Sequence, residues 1–218
     1  MDELIVRVVR ALACLTRLQI LSHLAHEKEV PPTVLARQLR LGVDTVCVHL
    51  RRLTDAGLIV RRRSGALCYA VGRSPYRDDV LSGKISRWLR GLLADPLGTA
   101  KDCGLEQVRN LPSADLPAHI HLFLPNALTA FTNVRRVQIL RHLASVKEAA
   151  AETLMKEMRM SDAAVSRHMS NLVRRGYVRA KRQGHRRVYA LERDAKSSLH
   201  RRLYALLAST WADERLRS

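Results

Sequence analysis

Aromatic residues are scarce: two Phe, two Trp and five Tyr make up 4% of the 218 residues. Any core must therefore be aliphatic, and the base-stacking side chains that RNA-binding modules rely on are few. Cysteine is equally sparse. Cys14, Cys47, Cys68 and Cys103 stand far apart without a C-x-x-C pair, which argues against a disulfide framework and fits a reducing compartment. The chain has no apolar run of about 18 residues, the minimum for a membrane span. Its first ten residues mix Asp2, Glu3, Arg7 and Arg10 with apolar side chains, unlike a secretion signal, so a cytoplasmic location is expected. A glycine-rich phosphate loop, a nucleophile elbow and a paired acid/base constellation are all missing; the chain reads as neither an enzyme nor a cofactor carrier. Acids are also in deficit. Against 38 Lys+Arg stand 20 Asp+Glu, a net charge of +18, and such an excess points to a polyanionic partner, nucleic acid before an anionic membrane surface.

What is present is a repeat. Residues 15–65 overlay residues 134–184 at a constant offset of 119, without a gap, and 17 of 51 aligned positions are identical. Arg17 to Ala25 answers Arg136 to Ala144. Val46, His49, Leu53 and Gly57 answer Val165, His168, Leu172 and Gly176, and Gly65 answers Gly184. None of the four cysteines has a cysteine counterpart. Self-similarity of this length marks two copies of one small domain. The net charge divides between them as +7 over residues 1–100 and +11 over 101–218.

Within the first copy, Leu4, Ile5, Val8, Val9 and Leu12 have the spacing of an amphipathic helix. A second helix is expected after Thr16 as N-cap, with Leu18, Leu21 and Leu24 inward. Pro31-Pro32 resets the chain, and a short helix runs to about Leu39. Leu41-Gly42 reads as a tight turn. A helix from about Asp44 to Ala56 then buries Val46, Leu50 and Leu53, and Gly57 sits where a left-handed C-cap is wanted. Two β-prone runs, 58–63 and 67–71, flank Ser64-Gly65-Ala66 as a hairpin, and Ser74-Pro75 is read as opening a last helix to about Ala94. The second copy repeats this order: a helix ending near Phe131, helices near 135–145, 150–158 and 162–175, strands near 177–182 and 187–191, and a last helix near 193–212. Matching Tyr69 with Tyr189 makes its hairpin tip one residue longer. Between the copies, Asp95-Pro-Leu-Gly and 111–117 read as loops around a short helix near Gly104–Asn110, and Pro125 is expected to interrupt a helix over Leu116–Leu128.

This order is that of a winged helix-turn-helix: a bracing helix, a tight turn, a helix that fits the major groove, then a hairpin reaching the flanking backbone. The expected fold class is mainly α with small β-hairpins (α+β), with a module over 1–94, a linker over 95–115 and a second module over 116–218.

Ala11 to Leu21, His49 to Leu58, and Ala164 to Leu172 followed by Gly176 resemble the corresponding stretches of the arsenical-resistance-repressor (ArsR-type) family of bacterial transcriptional regulators. Members are usually single-module homodimers paired through their first and last helices. The resemblance thus implies a fused pseudo-two-fold dimer with a seam of Leu4–Ala13, Ile85–Leu93, Leu122–Phe131 and Leu199–Leu207; it leaves further pairing of whole chains open. It also implies a repressor of transcription.

The candidate DNA-binding residues follow from the groove-facing positions. In the second copy these are Ser161, Ala163, Ala164, Ser166, Arg167, His168, Ser170 and Asn171: Ser, Asn and Arg can bond base edges or phosphates, and alanines permit close approach. The second wing supplies Lys181, Arg182, His185, Arg186 and Arg187. Five cations lie between 179 and 187 with no acid, a cluster that repels itself unless an anion joins it. In the first copy the helix offers Asp44, Thr45, Cys47, Val48, His49, Arg51 and Arg52, and the wing Arg61, Arg62 and Arg63. Asp44 stands where Ala163 is neutral and Val48 replaces Arg167, so the two halves are expected to read different sequences, or the first to grip backbone.

Family arsenic sensors carry cysteines in the helix before the recognition helix, and zinc sensors carry Asp/His pairs on the last helix. Here Val34–Leu39 and Thr153–Met158 hold no thiol, and His200 is the single histidine of the two last helices. His119 and His121 have the spacing of two ligands on one strand face, yet no cysteine or carboxylate stands near them in sequence, and no metal site is expected. Two competing readings remain: a tandem winged-helix protein–protein scaffold and a nucleoid-associated DNA-binding protein. Basic wings argue against the scaffold, whose surfaces should be apolar or mixed.

Overall fold

The computed structural model describes residues 1–27, 29–64, 67–102, 116–193 and 197–215. The expected hairpin tip at Gly65, the helix near Gly104–Asn110 and Cys103 lie outside those residues. The chain divides into two compact units, 7–125 and 1–6 with 126–218.

The elements of the first unit are α1 (Asp2–Leu12, whose first residues belong to the second unit), α2 (Leu15–His26), α3 (Pro32–Leu39), α4 (Val43–Asp55), β1 (Val60–Ser64), β2 (Leu67–Val71), α5 (Leu81–Ala94), α6 (Pro96–Asp102) and most of α7 (Leu116–Leu128). The second unit continues from α7 through a 3-10 turn at Thr129–Phe131 to α8 (Val134–Ser145), β3 (Ala149–Ala150), α9 (Ala151–Met158), α10 (Asp162–Arg175), β4 (Val178–Gln183), β5 (Arg186–Leu191) and α11 (Ser198–Arg215). Both units carry the helix-turn-helix and its hairpin.

The cores are aliphatic, as the composition requires. Leu18, Leu21 and Leu24 of α2 and Val46, Leu50 and Leu53 of α4 are buried, as are Val165, Met169 and Leu172 of α10. Each such side chain contributes roughly 1.5–3 kcal/mol through burial. Phe131 is fully buried and meets Tyr177 edge-on, with ring centroids 4.8 Å apart.

Both recognition helices end at a left-handed glycine, Gly57 at φ 69° and Gly176 at φ 80°. Leu58 N–H reaches back to the Leu53 carbonyl at 3.0 Å and Tyr177 N–H to that of Leu172 at 3.1 Å. These bonds close the last turn and aim the chain into the wing. In the first unit the hydroxyls of Ser82 and Ser86 donate to the carbonyls of Ala56 and Leu58, at 2.9 and 3.1 Å, and so tie α5 to this corner.

Several local expectations are corrected. Thr16 lies inside α2, whose N-cap is Cys14 with no side-chain bond; the equivalent Asn133 does cap α8, accepting from the N–H groups of Arg135 and Arg136. Gly42 does not make the tight turn. It is extended at φ −67°, and the left-handed residue is Arg40 at φ 54°, matched by Arg159 at φ 49° in the second unit. Pro75 does not open α5: Ser74 donates to the Gly57 carbonyl at 2.6 Å and accepts from Tyr76 N–H, holding this stretch as a loop until Leu81. Asp95 begins a short helix instead of a loop, its carboxylate accepting from Gly98 N–H at 2.9 Å. α7 runs through Pro125, because the loss of one backbone bond is outweighed where Leu124, Ala127 and Leu128 are all buried.

Ser64 pairs with Leu67 and Gln183 with Arg186, so the closing pairs are equally spaced in sequence and the offset of 119 persists through the second strand. The extra residue of the second copy is at the base instead, where Val178↔Leu191 adds a sixth pair to a ladder of five. A one-residue slip exchanges faces: Tyr189 is buried in the slot that Ala70 fills, whereas Tyr69 is half-buried one position away. β3 pairs with β5, giving the order β3-β5-β4, and the first unit keeps only a bridge, Val30↔Ala70, at that place.

Left-handed backbone costs a non-glycine residue about 1–2 kcal/mol, while glycine's greater unfolded freedom returns part of that. Arg159→Gly is therefore expected to stabilise by roughly 0.5 kcal/mol, seen as a later midpoint in urea unfolding. A fall in stability would show that the arginine side chain itself supports the turn.

Candidate nucleic-acid interface

α10 is set by its buried stripe, Val165, Met169 and Leu172, and by its cap. Ser161 accepts from Ala164 N–H at 3.3 Å, so its hydroxyl is engaged in starting the helix. Opposite the stripe, Ala163, Arg167 and Ser170 are exposed, while Ala164, Ser166, His168 and Asn171 are half-buried at its flanks. In α4, Asp44, Thr45, Val48, Arg51 and Arg52 are exposed and Cys47 and His49 half-buried. Val48 is 49% exposed, an apolar side chain where the second copy has Arg167.

The histidines sit deeper than an outer-face reading suggests. Burial first, and then Arg17 and Arg52, hold the His49 imidazole below its ordinary pKa; for His168 burial acts with Arg136, Arg167 and Arg135. Both shifts favour the neutral imidazole.

The wings carry the charge. Residues 181–187 are all exposed, and the register sets Arg182 directly across from Arg187, with Gln183 across from Arg186. Like charges directly opposite each other destabilise a hairpin, and among the described residues no carboxylate pairs with Lys181, Arg182, Arg186 or Arg187. The first wing is partly quenched: Arg62 Nη1 lies 3.2 Å from Glu29 Oε1, and Arg61 donates to Cys68 Sγ at 3.6 Å. Glu148, the equivalent of Glu29, instead accepts from Gln183 Nε2 at 3.4 Å. The second wing thus presents the stronger field.

Three features escaped the sequence reading. Arg17 and Arg136 clamp the ends of the elements before them: Arg136 donates to the carbonyls of Ala130 at 2.8 Å and Thr129 at 2.6 Å, and Arg17 to the equivalent Ala11 and Arg10. Arg40 and Arg159 lie exposed in the turn just before each recognition helix. The glutamates at the wing bases are the third. All three pairs are identities between the copies, which was the available signal.

His119 and His121 fall on α7, a helix, where residues two apart face different sides. The side chain of His119 lies outside the described residues; that of His121 is 5% exposed with Nε2 unpartnered among the described residues. Among the described residues no group of three His, Cys, Asp or Glu is placed to hold a metal ion, and no described helix is long and apolar enough to cross a membrane. Burial, aided by His23, lowers the His121 pKa to about 4. Between pH 6.5 and 4 the unfolded chain takes up this proton and the folded one does not, so the group's stabilising contribution is complete above 6.5 and lost on acidification. A loss on the order of 2 kcal/mol is expected between pH 7 and 4. An identical acid limb in His121→Gln urea titrations would reject that assignment.

Residues 16–62 match a family described as "Helix-turn-helix domain", and residues 133–180 match "Bacterial regulatory protein, arsR family". The chain is a tandem helix-turn-helix DNA-binding transcription regulator whose second module matches the arsR family. Among solved structures the regulator is similar to HlyU from Vibrio cholerae N16961, with 27% identity, 39% of this chain and 91% of that chain covered, and a TM-score of 0.33. It is also similar to reduced HlyU from the same organism, at 25% identity, 42% and 96% coverage and a TM-score of 0.36. No curated protein matches the regulator. Its matched regions span α2–β1 and α8–β4, the segments that hold both recognition helices and the first strand of each wing.

Proposed function

We propose that the regulator is a sequence-specific double-stranded-DNA-binding repressor that occludes promoter DNA, with α4 and α10 as unequal reading heads and the two hairpins as phosphate clamps. The observation that carries this reading is Arg182 facing Arg187 on an exposed hairpin, a strained arrangement that a polyphosphate backbone relieves. Repression itself rests on the family. The modules, 1–94 and 116–218 with 95–115 between them, act as a covalent pseudo-dimer in the cytoplasm, and the chain performs no catalysis.

The target is an asymmetric site with half-sites about one helical turn apart. The second half reads bases through Arg167, Ser170 and Asn171. The first, with Asp44 and the exposed Val48 on its helix, holds mainly backbone. Selection of bound fragments from a random duplex library tests this. One conserved half-motif beside a degenerate one is expected. A library returned without any motif would replace sequence reading by nucleoid-like backbone binding, and failure to retain duplex at low salt would remove DNA binding altogether.

A further inference from the structure

The second unit contains a cavity of about 440 Å³ at the base of the wing, between the end of α8, the first residues of β4, the end of β5 and the start of α11. It lies behind the hairpin, away from the arginines of the tip. The size suits a small organic molecule, and its lining is unusual for a space inside a small domain. Tyr177, 5% exposed, has a buried hydroxyl without a partner among the described residues; so has Tyr204, and Arg179 Nε is likewise buried and unsatisfied among them. Leaving such groups unpaired costs about 1–3 kcal/mol each. A fold that only needed filling here would place apolar side chains.

The rings are fixed where they stand. Tyr177 packs edge-on against Phe131 at 4.8 Å and tilted against His200 at 5.3 Å, and Tyr204 meets Trp211 at 6.1 Å. Burial raises the pKa of both phenols, that of Tyr204 to about 12, so both remain neutral donors at pH 7. Lys147, Arg179, Arg193 and Arg201 surround the same space with Glu192 as the one acid among the described residues, and Leu143, Val146 and Leu191 give it an apolar wall. Neutral phenol donors, a cationic rim and an apolar wall suit an anion with a flat apolar body.

The corresponding place in the first unit is built differently. Leu58, 1% exposed, replaces Tyr177. The cavity there, of about 380 Å³, is lined by Glu27 and Glu29 and contains no tyrosine. A general consequence of the fold would appear in both copies; this polar lining appears in one.

We propose that the cavity of the second unit is a binding site for a small aromatic carboxylate, whose oxygens meet Arg179 and the Tyr177 and Tyr204 hydroxyls while its ring lies on the Leu143–Leu191 wall. Calorimetric titration of the full chain without DNA tests it independently of the function proposed above. The probes are benzoate and 1-naphthoate, with benzamide and benzylamine as neutral and cationic controls. The carboxylates are expected to bind saturably and the controls not. Tyr177→Phe/Tyr204→Phe, which keeps the rings and removes only the hydroxyls, is expected to weaken 1-naphthoate by about 10- to 100-fold with an unchanged circular dichroism spectrum. Absence of binding by both carboxylates, binding shared equally by benzamide, or full affinity in the double variant would each overturn the proposal.

Discussion

Replacing Arg182, Arg186 and Arg187 together by alanine is expected to weaken duplex binding by about 10²- to 10³-fold at low salt, and to lower the slope of log affinity against log salt by about 2 to 3. The basis is geometric. These side chains stand exposed on one hairpin with Arg182 opposite Arg187 and no carboxylate among the described residues paired with them. Their charge is therefore available to phosphates, and each phosphate neutralised releases about one condensed counterion. The matching replacement of Arg61, Arg62 and Arg63 should cost less, since Arg62 already shares its charge with Glu29 at 3.2 Å. Filter binding over 50 to 200 mM salt with both triple variants checks the prediction. An unchanged slope for the second wing would show that its arginines do not touch the backbone. Removing them also relieves the cross-strand repulsion, so the variant hairpin should be no less stable, and a loss of affinity would not be a loss of fold.

The parts of this molecule that were legible in its sequence are those governed by spacing and by glycine. Val46, Leu50 and Leu53 recur at helical intervals and are buried together; Gly57 and Gly176 end the recognition helices at positive φ. The wings were legible because a run of cations without acids has few places to go in a folded chain. Local chemistry misled where a second, non-local partner decided the outcome. Ser74-Pro75 has the composition of a helix start, yet the Ser74 hydroxyl is drawn to the Gly57 carbonyl 17 residues away. The paired tyrosines suggested a longer tip, but strand register is fixed by which face is buried, and Tyr189 occupies the site of Ala70. The turn before each recognition helix defeated the glycine rule for a different reason. Its left-handed residue is an arginine, which tolerates the strain only because the helices on either side dictate the path.

The candidate site was legible as a set of residue types and not as a surface. Helical spacing placed His49 and His168 near the groove face, but spacing carries no information about the neighbours that lower their pKa values. Those neighbours include Arg17 and Arg136, identical in the two copies and six to seven residues from the carbonyls they bind. A bond of that reach has no periodic signature.

Arg136→Ala is accordingly expected to have the largest effect on stability, about 2–4 kcal/mol. Its guanidinium makes three partly buried hydrogen bonds, to the carbonyls of Ala130 at 2.8 Å and Thr129 at 2.6 Å and to Thr132 Oγ1 at 2.9 Å. Bonds to a charged group contribute about 1.5–3 kcal/mol apiece when counted singly, and three that share one side chain add to less than their sum. The carbonyls left behind close the turn that leads from α7 into α8, so their loss loosens the platform on which α10 rests. Thermal unfolding should shift down by roughly 6–12 °C. Lysine should rescue little, because one ammonium cannot reproduce the fork. A second readout separates this clamp from simple loss of packing: Arg136 is the second cause holding His168 low, so the His168 pKa, followed by proton NMR, should rise toward its ordinary value in Arg136→Ala while burial still keeps it below. An unmoved midpoint, or a His168 titration identical to that of the unaltered chain, would reject the clamp.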